Sequence, residues 1–392
     1  MENSPTFKDF INNKPLYYKE IDHKRVHNAY NMLKEHIKRP LTIHLVGTNG
    51  KGSTGRIMAT LLHSSGKNVG HFSSPHILKF NERIWLNSKD ISDRKLDIIH
   101  LKLYTILGQQ MSESLSYFEY TTLLALVATE DMDVMILEAG LGGEFDATNV
   151  VKKEISVITP IGLDHQEFLG DSIAQIAQTK LNSIGGNKAL LALQVYDEVY
   201  SIAEKIAKEK KSQIYRVDNS ESKELLKKTK ELGWAEYLYE NSKLALKALD
   251  ILNLSYDIDN LEEVTLFGRF YEIESNVTID VGHNLLATEV LVKAIEKKYK
   301  SEKIVLIYNS LDDKDYESIL MLFKPLIKWV EIINIDTDRA VKIEKLQNIL
   351  DKLDIKYKEF DHLDRCNNYF VFGSFYVIEA FLKKTKISIK NK

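Results

Sequence analysis

The chain has 392 residues, 44% of them hydrophobic and 28% charged, with a formal net charge of −3. That length predicts two or three domains at roughly 100–200 residues each, and the near-neutral balance excludes a global basic bias toward nucleic acid. The single cysteine, Cys366, excludes an intramolecular disulfide and a cysteine metal cluster, and fits a reducing compartment. Met1–Phe10 carries acidic residues and no apolar signal core. No run approaches the ~18 apolar residues of a membrane span. The expectation is a cytoplasmic protein that touches neither membrane nor nucleic acid. Lys208–Lys211 and Lys383–Lys392 read as solvated helix faces and a frayed tail.

Val26, Tyr30, Leu33 and Ile37 recur at helical spacing, and Pro40 ends that helix. Leu41–Val46 is a short apolar run, predicted as a buried strand. Gly47-Thr48-Asn49-Gly50-Lys51-Gly52-Ser53 follows at once, and Ile57, Met58, Leu61 and Leu62 then mark a helix. Asn68–Phe72 is a second strand, and the stretch from Ser74 to about Asp90 has no period, predicting a long functional loop. Helical patterns at 92–109 and 118–130 precede strands at Val134–Glu138 and Ile155–Ile158. Ser172–Leu181 is predicted helical, and alternation continues to about Leu252. The pattern loosens over Asn253–Val264, the expected linker and hinge. Strands at Val277–Asp280, Lys303–Tyr308 and Trp329–Ile335 then alternate with helices near 286–299, 315–324 and 343–353, and the chain closes with Val371-Phe372-Gly373-Ser374 and an apolar helix, Val377–Leu382. The expected fold class is α/β. An ATPase-type domain at 1–260, with a mostly parallel doubly wound sheet and a phosphate loop, precedes a smaller Rossmann-like α/β domain at 261–392.

Strand, glycine-rich turn and helix is the arrangement that cradles phosphates: backbone N–H groups approach closely, the helix N-terminus is electropositive, and Lys51 adds a full charge. The loop is shorter than the common G-x-x-x-x-G-K-[ST] pattern. Ligands in open α/β sheets bind beyond the carboxyl ends of strands. There the sequence places Lys51 and Ser53, then Ser74 and His76, then Glu138, then Asp164 and His165. A hydroxyl, a carboxylate and an imidazole can share Mg²⁺ with nucleotide phosphates. Glu138 taken alone has a turn cap as its lesser reading, and His165 reads equally as a structural histidine. Lys180, on its pattern, reads as a solvated helical charge. Asp280-Val281-Gly282-His283-Asn284 turns from a strand into a helix; Asn284 suits an N-cap, whereas His283 needs another explanation. Arg269 reads either as a phosphate contact or as a surface charge.

Leu45–Ser53 closely resembles the phosphate loop of the folylpolyglutamate synthase/dihydrofolate synthase family, within the Mur ligase superfamily. The resemblance continues in order through Ser74-Pro75-His76, Asn81–Ile84, Phe118-Glu119 with Thr121, Glu138–Gly143, Asp146–Asn149 and Ile161–His165 ahead of Leu169-Gly170. In the second half it takes in Asn241, Gly268-Arg269, Asp280–Asn284, Asp313-Lys314-Asp315 and Gly373–Tyr376, so that it runs from about Tyr17 to Tyr376. It implies an ATP- and Mg²⁺-dependent ligase of folate and one-carbon metabolism, forming a C–N bond between L-glutamate and a dihydropteroate or reduced-folate carboxylate through an acyl phosphate. It also implies a monomer. By position, Gly47, Thr48, Asn49, Gly50, Lys51, Gly52, Ser53, Asn241 and Arg269 match nucleotide-contacting residues, and Ser74, Glu138 and His165 match Mg²⁺ ligands. Lys180 matches a lysine that is carbamylated to become a metal ligand. Lys51, Lys180, Asp280 and His283 match the catalytic set, the last two near nucleotide and glutamate. Arg83, Phe118, Ser374 and Tyr376 match substrate-binding positions.

The chain departs from the family pattern at Thr179-Lys180-Leu181-Asn182 (usually Glu-Lys-Ala-Gly), at Glu144 (usually Arg) and at Leu285 (usually Pro). Among alternatives, a cell-wall Mur ligase is expected to carry a further N-terminal domain, and only about 40 residues precede this loop. A nucleotide switch or transporter ATPase predicts a longer loop and no second nucleotide-contacting domain. A silent ATP-binding homologue predicts loss of the Lys51, Glu138 and His165 set, which is intact.

Overall fold

In the computed structural model, residues 5–15, 22–185 and 188–387 are described. The start of the family pattern near Tyr17 and the tail from Ser388 to Lys392 lie outside them. The chain divides into two compact units. The first takes in the chain up to Ile161, then Asp171–Lys228 and Glu240–Val264; the second takes in Gly162–Gly170, Thr229–Tyr239 and the chain from Thr265 onward.

Among the described residues the first unit is built on eight strands: β1 (Leu41–Val46), β2 (Val69–Phe72), β3 (Ile84–Leu86), β4 (Lys89–Asp90), β5 (Val134–Glu138), β6 (Ile155–Ile158), β7 (Lys188–Leu191) and β8 (Gln213–Arg216). They lie in the order β4-β3-β2-β5-β1-β6-β7-β8. All neighbours pair in parallel except β3 with β2 and β4 with β3. Parallel strands are covered on both faces, so they read as continuous apolar runs rather than alternating ones; every residue of β5 and β2 is buried. Leu33, Leu103, Tyr120, Leu123, Met135 and Leu137 belong to one core cluster. The helix Lys51–Ser64 buries Ile57, Met58, Leu61 and Leu62 completely.

Two stretches differ from expectation. The predicted loop at 74–90 contains a 3₁₀ turn (Phe80–Arg83) and the β3–β4 hairpin. Its strands of three and two residues are too short for a periodic signal to register. The segment at 253–264 is not loose: its 3₁₀ turn, Ile258–Glu263, is docked within the first unit. Ser64 donates its hydroxyl to Glu263 at 2.6 Å, and Lys228 pairs with Asp259 at 3.0 Å.

The second unit has six strands among the described residues: β9 (Tyr271–Glu274), β10 (Val277–Asp280), β11 (Ile304–Tyr308), β12 (Ile327–Ile332), β13 (Tyr357–Glu359) and β14 (Tyr369–Phe372). Their order is β13-β12-β11-β14-β10-β9; β9 runs antiparallel to β10, and the other neighbours pair in parallel. Leu306, Tyr308, Phe323, Val330, Phe370 and Phe372 form the centre of its core. The chain is thus mixed α/β, with a large, mostly parallel sheet and a second sheet of its own. Among the described residues, no helix is long and apolar enough to cross a membrane.

Candidate active site

β1 delivers the chain directly into the glycine-rich turn, and helix Lys51–Ser64 begins at its end. Gly50 caps that helix with φ 90°, a left-handed conformation suited to glycine. A side chain there would also meet Asn241 Oδ1 at 2.7 Å. The first helical hydrogen bond runs from Thr54 N–H to the Gly50 carbonyl at 2.9 Å. The amides of Lys51, Gly52 and Ser53 therefore precede the helical ladder, where an anion is favoured. The Thr48 and Asn49 amides are turned to the Pro160 carbonyl instead, at 2.9 and 3.3 Å. Asn241, on helix Glu236–Ile251, donates from Nδ2 to Ser53 Oγ at 2.8 Å. The two lie 188 residues apart in sequence.

Lys180 is buried, not solvated, with 4% of its surface exposed. Its Nζ donates to the Gly47 carbonyl at 3.0 Å, the same oxygen that Lys51 Nζ reaches at 3.1 Å. Lys51 also donates to the Thr48 carbonyl at 3.2 Å. Glu138 ends β5 and is 4% exposed. Ser74 follows β2, whose Phe72 is in register with Leu137 of β5. Both residues thus stand at the carboxyl ends of adjacent parallel strands, and Glu138 is in register with Leu45 of β1.

The turn after Glu138 is pinned by Asp146. Its Oδ2 accepts from Leu141 N–H at 2.8 Å, and its Oδ1 accepts from the Thr148 amide and hydroxyl at 2.9 and 2.5 Å. Because the Thr148 hydroxyl proton goes to Asp146, its oxygen accepts from His44 Nε2, 2.8 Å away. His44 Nδ1 is then left to accept from Lys153 Nζ at 3.3 Å. Burial, followed by the Lys153 charge, holds His44 well below the usual imidazole range. Burial, followed by Lys210, lowers Lys153 to about 7. Gly143 is needed for close approach: a Cβ there would lie 2.5 Å from the Lys180 carbonyl oxygen and 2.9 Å from its Cα.

In the second unit, Asp280 ends β10 and is 4% exposed. Its Oδ2 accepts from Tyr237 OH at 2.9 Å and Phe270 N–H at 2.7 Å, and its Oδ1 from Gly282 N–H at 2.7 Å. Burial pushes the carboxyl up, against the pull of Arg269 and these three donors. Arg269 is half-buried, with its guanidinium carbon 5.4 Å from the centre of the Phe375 ring. His283 Nδ1 lies 3.0 Å from the Val281 carbonyl, which can only accept, so Nδ1 carries the proton and Nε2 faces Asp164 at 3.7 Å. Asn284 does cap the next helix, through Oδ1 and the Ala287 amide at 2.9 Å, and its Nδ2 donates to Asp164 Oδ2 at 3.0 Å. His165 belongs to this unit, with its backbone left-handed at φ 51°.

Of the substrate-binding candidates, Arg83 is 8% exposed. It donates from Nε to His76 Nδ1 at 2.8 Å and lies 5.3 Å over the Tyr117 ring. Phe118 packs with Phe72 at a ring-centre distance of 6.0 Å. In the second unit Ser374 caps helix Phe375–Thr385, accepting from Val377 N–H at 3.3 Å, and Tyr376 stands half-buried in that helix's first turn.

Within the first unit, hard oxygen donors from Glu138 and Ser74 suit a divalent ion that keeps much of its shell for phosphate and water. Among the described residues, no group of three His, Cys, Asp or Glu side chains gathers in a metal-holding arrangement. The candidate set contains only two residues of those types, so the donor chemistry still fits. Tyr237 was not legible as a site residue. The available signal was its place four residues before Asn241, on one helix face. Lys314 entered only through the Asp313-Lys314-Asp315 stretch of the resemblance, which assigned it no role.

Residues 45–271 match the Mur ligase middle domain. A dihydrofolate synthase/folylpolyglutamate synthase from Haemophilus influenzae is 30% identical over 327 residues, 74% of either chain. A crystal structure of Helicobacter pylori folylpolyglutamate synthetase is 39% identical, covers 96% of this chain and 97% of that one, and superposes with a TM-score of 0.79. A bifunctional folylpolyglutamate synthase/dihydrofolate synthase with Mn, AMPPNP and L-glutamate bound is 25% identical, with a TM-score of 0.83 and coverage of 97% and 98%.

Proposed function

The chain belongs to the dihydrofolate synthase/folylpolyglutamate synthase family and carries a Mur ligase middle domain, and on that premise we propose that it is an ATP-dependent ligase adding L-glutamate to a dihydropteroate or folate carboxylate. The observation that carries this reading is the convergence of Lys51 and Lys180 on the Gly47 carbonyl, beside a strand that ends in Glu138. Two cations and the amides of Lys51, Gly52 and Ser53 favour a phosphate chain there.

The chemistry follows from what a carboxylate lacks. Its oxide is a poor leaving group. Transfer of the ATP γ-phosphoryl group to a carboxylate oxygen releases ADP and makes an acyl phosphate. The glutamate amine then attacks the acyl carbon, the amide bond forms, inorganic phosphate leaves with the C–O electron pair, and the amine gives up a proton. Lys51 and the loop amides hold the transferring phosphoryl group in line and offset its charge. Ser74, Glu138 and His165 would hold Mg²⁺, which would supply Lewis-acid neutralisation of the phosphate oxygens when bound. Lys180 joins that set if its amine is carbamylated; as an amine it donates to Gly47. Asn241 and Arg269 serve the nucleotide, and Arg83, Phe118, Ser374 and Tyr376 the pterin and glutamate. Arg83 with Tyr117 and Phe118 offers a charged edge and flat apolar faces, which suits a folate. Asp280 and His283 act near nucleotide and glutamate. The functional division follows 1–260 for ATP and 261–392 for glutamate ligation, in a cytoplasmic monomer with small-molecule partners and no nucleic acid.

The test is direct. Purified protein receives ATP, Mg²⁺ and L-glutamate with dihydropteroate or with tetrahydrofolate, and ADP and amide product are measured. Turnover with one or both pterins supports the reading and selects the substrate; turnover with neither overturns it.

A further inference from the structure

Gly162–Gly170 leaves the first unit after β6 and is counted with the second. Leu169 is its buried apolar side chain. Its helical turn is Gln166–Leu169, and Leu163 and Phe168 are 41% and 51% exposed. Yet it keeps His165 at φ 51°, a left-handed conformation that a non-glycine residue adopts at a cost, and only where its surroundings over-determine it. The polar anchor is Asp164. Its Oδ1 accepts from Lys314 Nζ at 2.6 Å and from the His165 amide at 2.9 Å; its Oδ2 accepts from Asn284 Nδ2 at 3.0 Å. Asp164, Lys314 and Asn284 are all at least 91% buried. Lys314 is held from behind by Asp313 at 3.1 Å, itself paired with Arg339 at 3.0 Å. A buried ion pair is a poor source of net stability against an apolar replacement, because desolvating both charges offsets their attraction. What it supplies is fixed geometry.

We propose that Asp164 and Lys314 are positioning residues for the catalysed reaction: their buried ion pair fixes the backbone that presents His165, and with it the orientation of the imidazole offered to a divalent ion. This rests on the reading that His165 serves such an ion. Partners that orient a metal ligand matter almost as much as the ligand, and their loss costs roughly 10–100-fold in metal affinity. The geometry also gives the Asp313-Lys314-Asp315 motif a task. Its lysine is a buried partner of a residue 150 positions earlier, not a solvated charge.

The test uses the full chain with Mn²⁺, whose free concentration is read by electron paramagnetic resonance, in the presence of a non-hydrolysable ATP analogue. Lys314→Met is expected to weaken Mn²⁺ binding at least tenfold, with metal-free binding of a fluorescent ADP changed less than twofold, and Lys314→Arg to restore part of the loss. Should Lys314→Met unfold by leaving Asp164 charged and unpaired, the neutral double variant Asp164→Asn/Lys314→Met, checked by thermal melting, carries the same expectation. Unchanged Mn²⁺ affinity in a folded variant overturns the proposal, and does so equally if the KM for glutamate rises instead, since Lys314 would then be a substrate contact. If the unsubstituted protein binds neither Mn²⁺ nor nucleotide, the ligase reading fails, and this outcome is separable from the first.

Discussion

Lys180 donates from Nζ to the carbonyl oxygen of Gly47 at 3.0 Å, an acceptor it shares with Lys51. The bond ties helix Ile173–Leu181 to a loop 133 residues earlier. Two ammonium groups on one carbonyl concentrate positive charge beside the glycine-rich turn. Positive charge at a helix N-terminus favours an anion there.

Lys51→Ala removes the charge set against the transferring phosphoryl group. ADP release is expected to fall at least about a hundredfold, the scale for losing one preorganised transition-state donor. Retained activity would remove the phosphate-loop assignment.

Asn241→Ala cuts the bond to Ser53 Oγ, leaving the hydroxyl with the Gly50 carbonyl at 3.2 Å. A neutral hydrogen bond contributes about 1 kcal/mol, so nucleotide affinity should weaken about fivefold. Equilibrium binding of a fluorescent ATP analogue measures this, and an unchanged dissociation constant would place Asn241 outside the nucleotide's reach.

Tyr237→Phe deletes one of three donors to Asp280 while keeping the ring that packs on the second core. Burial already pushes Asp280 up, and the hydroxyl opposes that push. Its loss raises the carboxyl further, so the charged form is lost at higher pH. The acidic limb of the kcat/KM profile should move upward, with Arg269, Gly282 N–H and Phe270 N–H still in place. An unmoved limb would mean that Asp280 ionisation does not limit the reaction.

Gly143→Ala places a Cβ against the backbone of Lys180, which cannot yield as a side-chain tip can. Overpacking of this kind costs about 1–3 kcal/mol. Denaturant unfolding should register that loss, together with weaker nucleotide binding from a displaced Lys180.

Lys153 titrates near 7 in the folded chain against 10.5 ordinarily. Between those values the unfolded chain binds a proton that the folded chain does not, so the cost of burying this amine is relieved as pH rises from about 7 to 10.5 and is fully restored once pH has fallen back to about 7. The unfolding midpoint of wild type relative to Lys153→Met should therefore improve from pH 7 to pH 9.5. A constant difference would mean that the buried amine stays charged throughout.

Local and periodic features were legible from the chain alone. Apolar runs of four to six residues located β1, β5, β6, β10 and β11, because parallel strands are buried on both faces and need no alternation. Gly47–Ser53 announced its chemistry because a glycine turn feeding a helix has few other uses, and the ordered motifs identified the family. Which charges are buried emerged only on folding. Lys180 and Lys314 have the local pattern of surface lysines, and their acceptors lie 133 and 150 residues away. Folding likewise settled that Gly162–Gly170 and Thr229–Tyr239 are counted with the later part of the chain. Neither follows from spacing. A charge's burial, and a short segment's allegiance, depend on partners that only the folded chain brings within hydrogen-bonding distance.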